Sequence, residues 1–486
     1  MSANHFDLAA AAFTEMVRQG FHPDFPNGTE EQIEQIREAG PPTPSGDIQD
    51  LRGLLWSSID NDTSRDLDQI EYAERVEAGI RVLVGVADVS HAVAKGSPID
   101  RHAADQTKTV YTATRNFPMI PNELSTDLTS LNQDVDRAAV VMEYVVDSQG
   151  CLKQQKIYQA VIHNTAQLAY SKVGPWLEGT ADPDAKVAAS IELQAQLKLQ
   201  DEAARRLREE RVSQGALEFS RIEADPVVID GEVRAITTAS HNRATNLIED
   251  FMIGANETMA ELLRAAGRSC IRRIVRAPER WERIRELVAS HGGELPAEPE
   301  SAPLNAFLRR QRADDPVHYP DLSLSIIKLM GPGEYVLSKG SDTKPLGHFG
   351  LAARDYTHST APNRRFADLV AQRLVKAMLE DAPPPYTDDE LNAIALKCTL
   401  QEKAGHKVER AMRKRVAAVG MSDSIGKIFR GVITGASEKG VYVRVFNPPV
   451  EGRVMKGEQG LDVGDTVSVK LLHTDPSRAF IDFAHV

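Results

Sequence analysis

Cysteine is scarce, with three in 486 residues. Cys151, Cys270 and Cys398 stand far apart with neither pairing nor ligand spacing, which excludes a disulfide framework and a zinc site. They read as reduced core thiols. Long apolar runs are missing too, so no segment reaches the roughly 18 residues that a membrane-spanning helix needs. The start, "MSANHFDLAAAAFTEMVRQG", lacks a basic stretch followed by an apolar one, so no secretory leader is expected and the chain reads as cytoplasmic. Positive charge is in deficit: 57 Lys and Arg against 70 Asp and Glu leave a net charge of -13. Taken by itself, that sum argues against a nucleic-acid partner, because binding phosphate usually calls for a basic face.

What is present is an ordinary globular composition, 42% hydrophobic and 26% charged. At roughly 100 to 200 residues per domain it suggests two to four domains. Cations are concentrated in "RAAGRSCIRRIVR" (Arg264 to Arg276), "NRRFADLVAQR" (Asn363 to Arg373) and "HKVERAMRKRV" (His406 to Val416), so a local cationic channel is compatible with the acidic total.

The pattern divides the chain into three expected parts. Residues 1–47 read as a short helical module, with Phe6, Leu8, Phe13 and Met16 on one face, closed by the linker "AGPPTPSGD". Residues 48–420 mix strand and helix patterns. The Val-rich stretch Gly79 to Val93 reads as a buried strand leading Asp88 toward a site, and Ser190 to Arg211, Ile248 to Ala266 and Arg364 to Leu379 read as helices. Residues 421–486 alternate with period two between close turns, and five strands fit, near 426–433, 440–446, 451–455, 466–474 and 479–483. The expected class is α+β: a large mixed α/β domain, a helical N-terminal module and a five-stranded OB-type barrel. On that barrel Phe429, Tyr442, Arg444 and Arg453 are expected exposed, a mix suited to single-stranded nucleic acid. The aromatics would equally serve as barrel core.

"SSIDNDTSRDLDQIEY" (Ser57 to Tyr72) places Asp60, Asp62, Asp66 and Asp68 in one turn between strand-like flanks. Converging carboxylates repel and raise one another's pKa, a cost that a bound divalent cation removes. Oxygen donors without His or Cys suit Mg²⁺ or Mn²⁺. Two such ions about 3.5 to 4 Å apart serve in-line phosphodiester displacement. The alternative is a solvated turn, since Asp and Asn populate turns and helix caps. An EF-hand loop does not fit, because its Gly and terminal Glu are absent.

"IDNDTSRDLDQ", "GVADVSHAVAKGSPIDRHA", "TVYTATRNFPMIP", "IEDFMIGAN" and "HFGLAARDYTHSTAPNRRFADLVAQR" occur in that order. Together they resemble the catalytic domain of the RNase II (RNB) family of exoribonucleases, and the tail resembles the family's terminal RNA-binding barrel. The resemblance implies a processive, metal-dependent hydrolase that removes nucleoside 5′-monophosphates from the 3′ end of single-stranded RNA, with Mg²⁺ as cofactor and Mn²⁺ as substitute. It implies metal-site roles for Asp60, Asp66 and Asp68, with Asp68 tied most directly to the chemistry. Gln69 stands where the family often has a fourth Asp, and Asp62 is an extra acid that would compensate. Tyr111 matches an aromatic stacked on the terminal base, and Arg364 the arginine at the scissile phosphate. Arg365, Glu249 and Glu409 fall along the implied RNA path, and Phe219 matches a second stacking aromatic. His348 and His358 lack ligand or triad spacing and read as structural hydrogen-bonding groups.

Two departures stand out. Asn363 replaces the family's apolar residue before the arginine, and about fifty residues precede the catalytic motifs where the family commonly carries tandem cold-shock barrels. The helical module is expected to replace those barrels and admit duplex-containing RNA more freely. A catalytically impaired RNA-binding protein of the same family is the alternative reading, motivated by Gln69 and "APNRR". A phosphohydrolase of small molecules would leave the barrel and basic helices without a purpose. A monomer is expected.

Overall fold

The structure is a computed structural model describing residues 6–220, 224–229, 232–238, 241–316, 318–342, 346–437 and 440–486. Two helices open the chain: α1 (Leu8–Arg18), capped by the Asp7 carboxylate, and α2 (Thr29–Ala39). Strands β1 (Ile48–Asp50), β2 (Trp56–Asp60), β3 (Gln69–Val76) and β4 (Gly79–Ala87) follow. Next come α3 (Val89–Ala92), α4 (Pro98–Gln106), β5 (Asp136–Val146) and β6 (Leu152–Ala169). Then run α5 (Tyr170–Leu177), α6 (Ala185–Ala189), α7 (Ile191–Ser213), β7 (Ala224–Ile229), β8 (Glu232–Thr238), α8 (Arg243–Ala265) and β9 (Cys270–Ile274). Helices α9 (Trp281–Ser290), α10 (Ser301–Asp314) and α11 (Tyr319–Met330) precede β10 (Glu334–Ser338). After α12 (Phe366–Leu379) and α13 (Asp388–Gly420) come β11 (Ile428–Ser437), β12 (Gly440–Val445), β13 (Glu451–Lys456), β14 (Thr466–Asp475) and β15 (Phe480–His485).

The central sheet has the order β1-β6-β2-β3-β4-β5, and β5 also pairs with β6, so the sheet closes on itself. Its near-continuous Val, Ile and Leu strands follow from burial on both faces. β4 and β5 are almost wholly buried, and α7, α8 and α12 contribute Leu197, Phe251 and Leu369 to the same core. α13 begins at a capping box, with Thr387 and Glu390 satisfying each other's backbone N–H groups.

Smaller cores surround it. The C-terminal strands form a closed barrel, β11-β12-β13-β15-β14, filled by Val443, Val469, Leu471 and Phe483. Helices α9–α11, which the sequence reading did not separate, bury Trp281, Ile284, Phe307 and Tyr319. Finally, α1 supplies Leu8, Ala12 and Met16 to a cluster with Val110 and Phe117, and with Val408, Met412 and Val416 of α13. The buried Glu15 of α1 accepts from Arg415 of α13, so the helical module is fastened to the large domain.

Candidate active site

The acidic turn joins β2 to β3. Leu67 is buried and fastens it: its N–H donates to Ser130 Oγ at 3.0 Å, and its carbonyl accepts from Leu131 N–H at 2.9 Å. The Asp68 carbonyl accepts from Ala87 N–H at 2.9 Å, which fixes the turn to the end of β4. Asp66 and Asp68 flank this plug, while Asp60 ends β2 and its Oδ1 accepts from Asn61 N–H and Ser64 Oγ.

Two further segments close on the turn. Thr109 N–H donates to the Arg364 carbonyl at 3.0 Å and Phe366 N–H to the Thr107 carbonyl at 2.9 Å, which lays Tyr111 beside the 361–365 turn. The Tyr111 hydroxyl donates to Asp66 Oδ2 at 2.6 Å. Asn363 N–H donates to Asp68 Oδ1 at 3.1 Å, and Arg364 Nε stands 3.4 Å from Asp68 Oδ2. Arg365 is turned onto Asp368 by a bidentate pair at 2.7 and 2.9 Å. Because the contact from residue 363 to Asp68 is made by the backbone, Asn363 supplies it as an apolar residue would; its side-chain oxygen accepts from Thr129 Oγ1 at 2.6 Å.

Asp68 is 2% exposed, and burial pushes its carboxyl up to about 7 against the opposing pull of Arg364. Burial also raises Asp60 and Tyr111. A cavity of about 130 Å³ opens beside the cluster, lined by Lys108, Tyr111, Tyr335, Arg364, Arg365 and Glu402. A larger one, about 540 Å³, lies between α2 and the α3–α4 region and contains none of the acidic turn.

The donor set fits a hard divalent cation: carboxylate oxygens in a buried setting, with Asp68 Oδ2 lacking any hydrogen-bond donor. No three acidic, His or Cys side chains among the described residues already converge to hold an ion. Asp66 Oδ2 accepts from Tyr111 and Asp60 Oδ1 from its own turn, which leaves the second oxygen of each carboxylate for a cation.

Asp60, Asp66, Asp68, Tyr111, Arg364 and Arg365 are thus assembled in one place, with Gln69 buried at the start of β3. Glu409 stands at the rim, accepting from Lys108 Nζ at 3.0 Å. Other expected residues lie elsewhere. Asp62 is exposed and accepts from Ser171 Oγ at 2.7 Å, so it does not face the cluster in this arrangement. Glu249 is exposed on α8, paired with Arg208. Phe219 packs on the α9–α11 core.

The barrel positions need correction. Phe429 is half-buried, edge-on to Phe483 of the barrel core, whereas Tyr442 is half-buried on the outer face, alternating with the buried Val441 and Val443. Arg444 is not an exposed cation: it pairs with Asp321 of α11 at 2.8 Å and joins the barrel to the helical subdomain. Asp88 does not reach the turn either. It caps α3 and pairs with Lys376 at 2.8 Å.

The two histidines have structural partners. His348 Nδ1 accepts from Leu351 N–H, and burial holds its pKa down at about 4. His358 Nδ1 lies 2.8 Å from the Tyr335 hydroxyl and is held far below its usual range.

One residue was not foreseen. Glu71 on β3 is fully buried with neither carboxylate oxygen hydrogen-bonded, and burial followed by the Asp60 charge raises its pKa strongly. Only its spacing from Gln69, two residues along one strand face, hinted that a second polar group enters the sheet.

The RNB domain family matches residues 48–381, well over half of the chain. The chain belongs to the RNB family. The RNase II-type exonuclease C-terminal S1 domain matches residues 427–486 of this RNB protein. Ribonuclease R of Escherichia coli is 31% identical over 450 residues, which cover 88% of this chain and 54% of that relative. The chain therefore spans about half the length of that relative. Mycoplasma genitalium RNase R in complex with ribose-methylated single-stranded RNA superposes with a TM-score of 0.88 at 24% identity, covering 100% of this chain and 79% of that one. The same protein in complex with double-stranded RNA gives a TM-score of 0.85 at 25% identity, covering 100% and 84%.

Proposed function

We propose that this RNB protein is a hydrolytic 3′-to-5′ exoribonuclease that takes the 3′ end of single-stranded RNA and releases nucleoside 5′-monophosphates processively. The observation that carries the reading is the buried Asp68, whose Oδ2 takes no hydrogen bond and faces the Arg364 guanidinium at 3.4 Å, with Tyr111 alongside. A binding protein has no need of a buried carboxylate that costs free energy while unliganded.

In this reading the terminal base stacks on Tyr111, an interaction worth about 1–3 kcal/mol that tolerates any sequence. Arg364 holds the scissile phosphate and stabilises the charge that develops on its oxygens as water adds and the 3′-oxygen leaves. Asn363 N–H and Arg364 orient the Asp68 carboxylate from two sides, and Arg365 is held by Asp368 to shape the turn. Asp60, Asp66, Asp68 and Gln69 are the residues to hold Mg²⁺, or Mn²⁺ in its place. When bound, two such ions would lower the pKa of the attacking water and offset the leaving group's charge. Contacts to the 2′-hydroxyl would set the register and disfavour DNA.

The test is to incubate end-labelled single-stranded RNA with wild type and Asp68→Asn, with and without Mg²⁺, and to resolve the products. Mononucleotides from wild type with Mg²⁺ alone are expected. Tight RNA binding without turnover at saturating Mg²⁺ and Mn²⁺ would establish the impaired alternative, for which Gln69 is the remaining motive.

A further inference from the structure

Helix α13 passes the candidate site and ends against the barrel. Glu402, Gly405 and Glu409 form its site-facing line: Glu402 borders the cavity, Gly405 lets the Lys108 side chain cross the helix, and Glu409 receives Lys108 Nζ. About a third of a turn round the helix from Glu402 lies a face of exposed cations. Lys403, Lys407, Arg410 and Lys414 recur at four, three and four residues and so share one stripe, and Arg413 lies between it and the site-facing line. At 1.5 Å per residue the stripe is about 16 Å long.

None of these five side chains has an ion pair or hydrogen bond among the described residues. On other helices several cations are paired one turn away, as in Arg18–Glu15, Arg206–Glu202, Arg264–Glu261 and Arg283–Glu286, whereas here five neighbours all stand without a partner among the described residues. Like charges three and four residues apart destabilise a helix. The helix dipole does not offset this, since its effect fades beyond the last turn and the last turn of α13 holds no basic residue. In a chain of net charge -13, an unneutralised stripe running from the site toward the barrel fits a polyanion that continues out of the site.

We propose that this stripe is a track for the phosphodiester backbone of the RNA strand, taking phosphates 5′ of the nucleotides held near Tyr111 and Arg364. It recognises charge and not base, because lysines and arginines on a convex helix face meet phosphate oxygens and reach no base edge. The inference rests on the exoribonuclease reading for the identity of the strand.

The experiment compares wild type with Lys407→Gln/Arg410→Gln/Lys414→Gln, using RNA oligomers of about 20 and about four nucleotides. Binding is followed in EDTA across a salt series. For single strands each phosphate contact contributes about 0.7 to the slope of log K against log salt, so losing three contacts should lower the slope by about 2. A long-oligomer Kd at least tenfold weaker is expected, with tetramer hydrolysis unchanged. A variant with Lys and Arg exchanged at the three positions should bind as wild type. An unchanged slope overturns the proposal, and so does an equal loss for both lengths, which would place the cations at the reaction itself. Should wild type cleave neither RNA, the exoribonuclease reading fails, while the long-oligomer slope still decides the track.

Discussion

Replacing Asp68 by Asn should make the metal-free protein more stable while abolishing its chemistry. The carboxyl is raised from its ordinary 3.8 to about 7, a shift of roughly three units, and each unit is worth about 1.36 kcal/mol. Burying the ionised group therefore costs up to about 4 kcal/mol at pH 8. Asparagine removes that cost and still accepts from Asn363 N–H, but it loses the attraction to Arg364, whose side chain is 47% exposed and already partly screened. A net gain of about 1–3 kcal/mol is expected, or about 1–4 °C in Tm. Between pH 4 and 7 the folded state holds a proton that the unfolded chain has released, so wild-type stability falls as pH rises through that window. The advantage of Asp68→Asn should thus be largest at pH 8, shrink below pH 7 and vanish near pH 4. Thermal melts in EDTA at several pH values read it directly. A variant less stable than wild type at pH 8, or an advantage that ignores pH, would refute the account of Asp68 as a carboxylate held in readiness for a cation.

Further outcomes follow from the same geometry. Tyr111→Ala should weaken short-RNA affinity about 5- to 150-fold, the loss of about 1–3 kcal/mol of stacking, whereas Tyr111→Phe should stay within a few-fold in KM. Arg364→Ala should lower kcat by about 10²–10³, as removal of an electrostatic stabiliser does, with a smaller change in KM. Gln69→Asp should reduce the Mg²⁺ concentration for half-maximal activity, and it should destabilise the metal-free protein because position 69 is 8% exposed. Arg444→Ala should leave tetramer hydrolysis unchanged but increase protease cleavage between α13 and β11, since it removes the pair that ties the barrel to Asp321.

Local pattern carried much of the architecture. The strands around the acidic turn follow from residues just before and after it, and the five barrel strands follow from period-two alternation between Gly, Asn and Pro turns. Where pattern failed, the deciding interaction was distant in sequence. Arg444 reads as a solvated cation because its partner, Asp321, stands 123 residues earlier. Asp88 reads as a site residue until Lys376 of α12 is seen to meet it. Glu71 defied the rule that charged residues are exposed, which no neighbouring residue contradicts. The Thr387–Glu390 capping box marks where α13 starts, but its 33 residues are held by α1, β10 and the barrel, partners remote in sequence.

The hydrogen bond from Tyr111 to Asp66 has a thermodynamic consequence. Under the exoribonuclease reading, the ring proposed to carry a base and the carboxylate proposed to hold a cation share one proton, so a change at either end is felt at the other. By linkage any effect of RNA on cation affinity equals the effect of the cation on RNA affinity. Metal titrations with and without RNA should then differ, and Tyr111→Phe should shrink the difference.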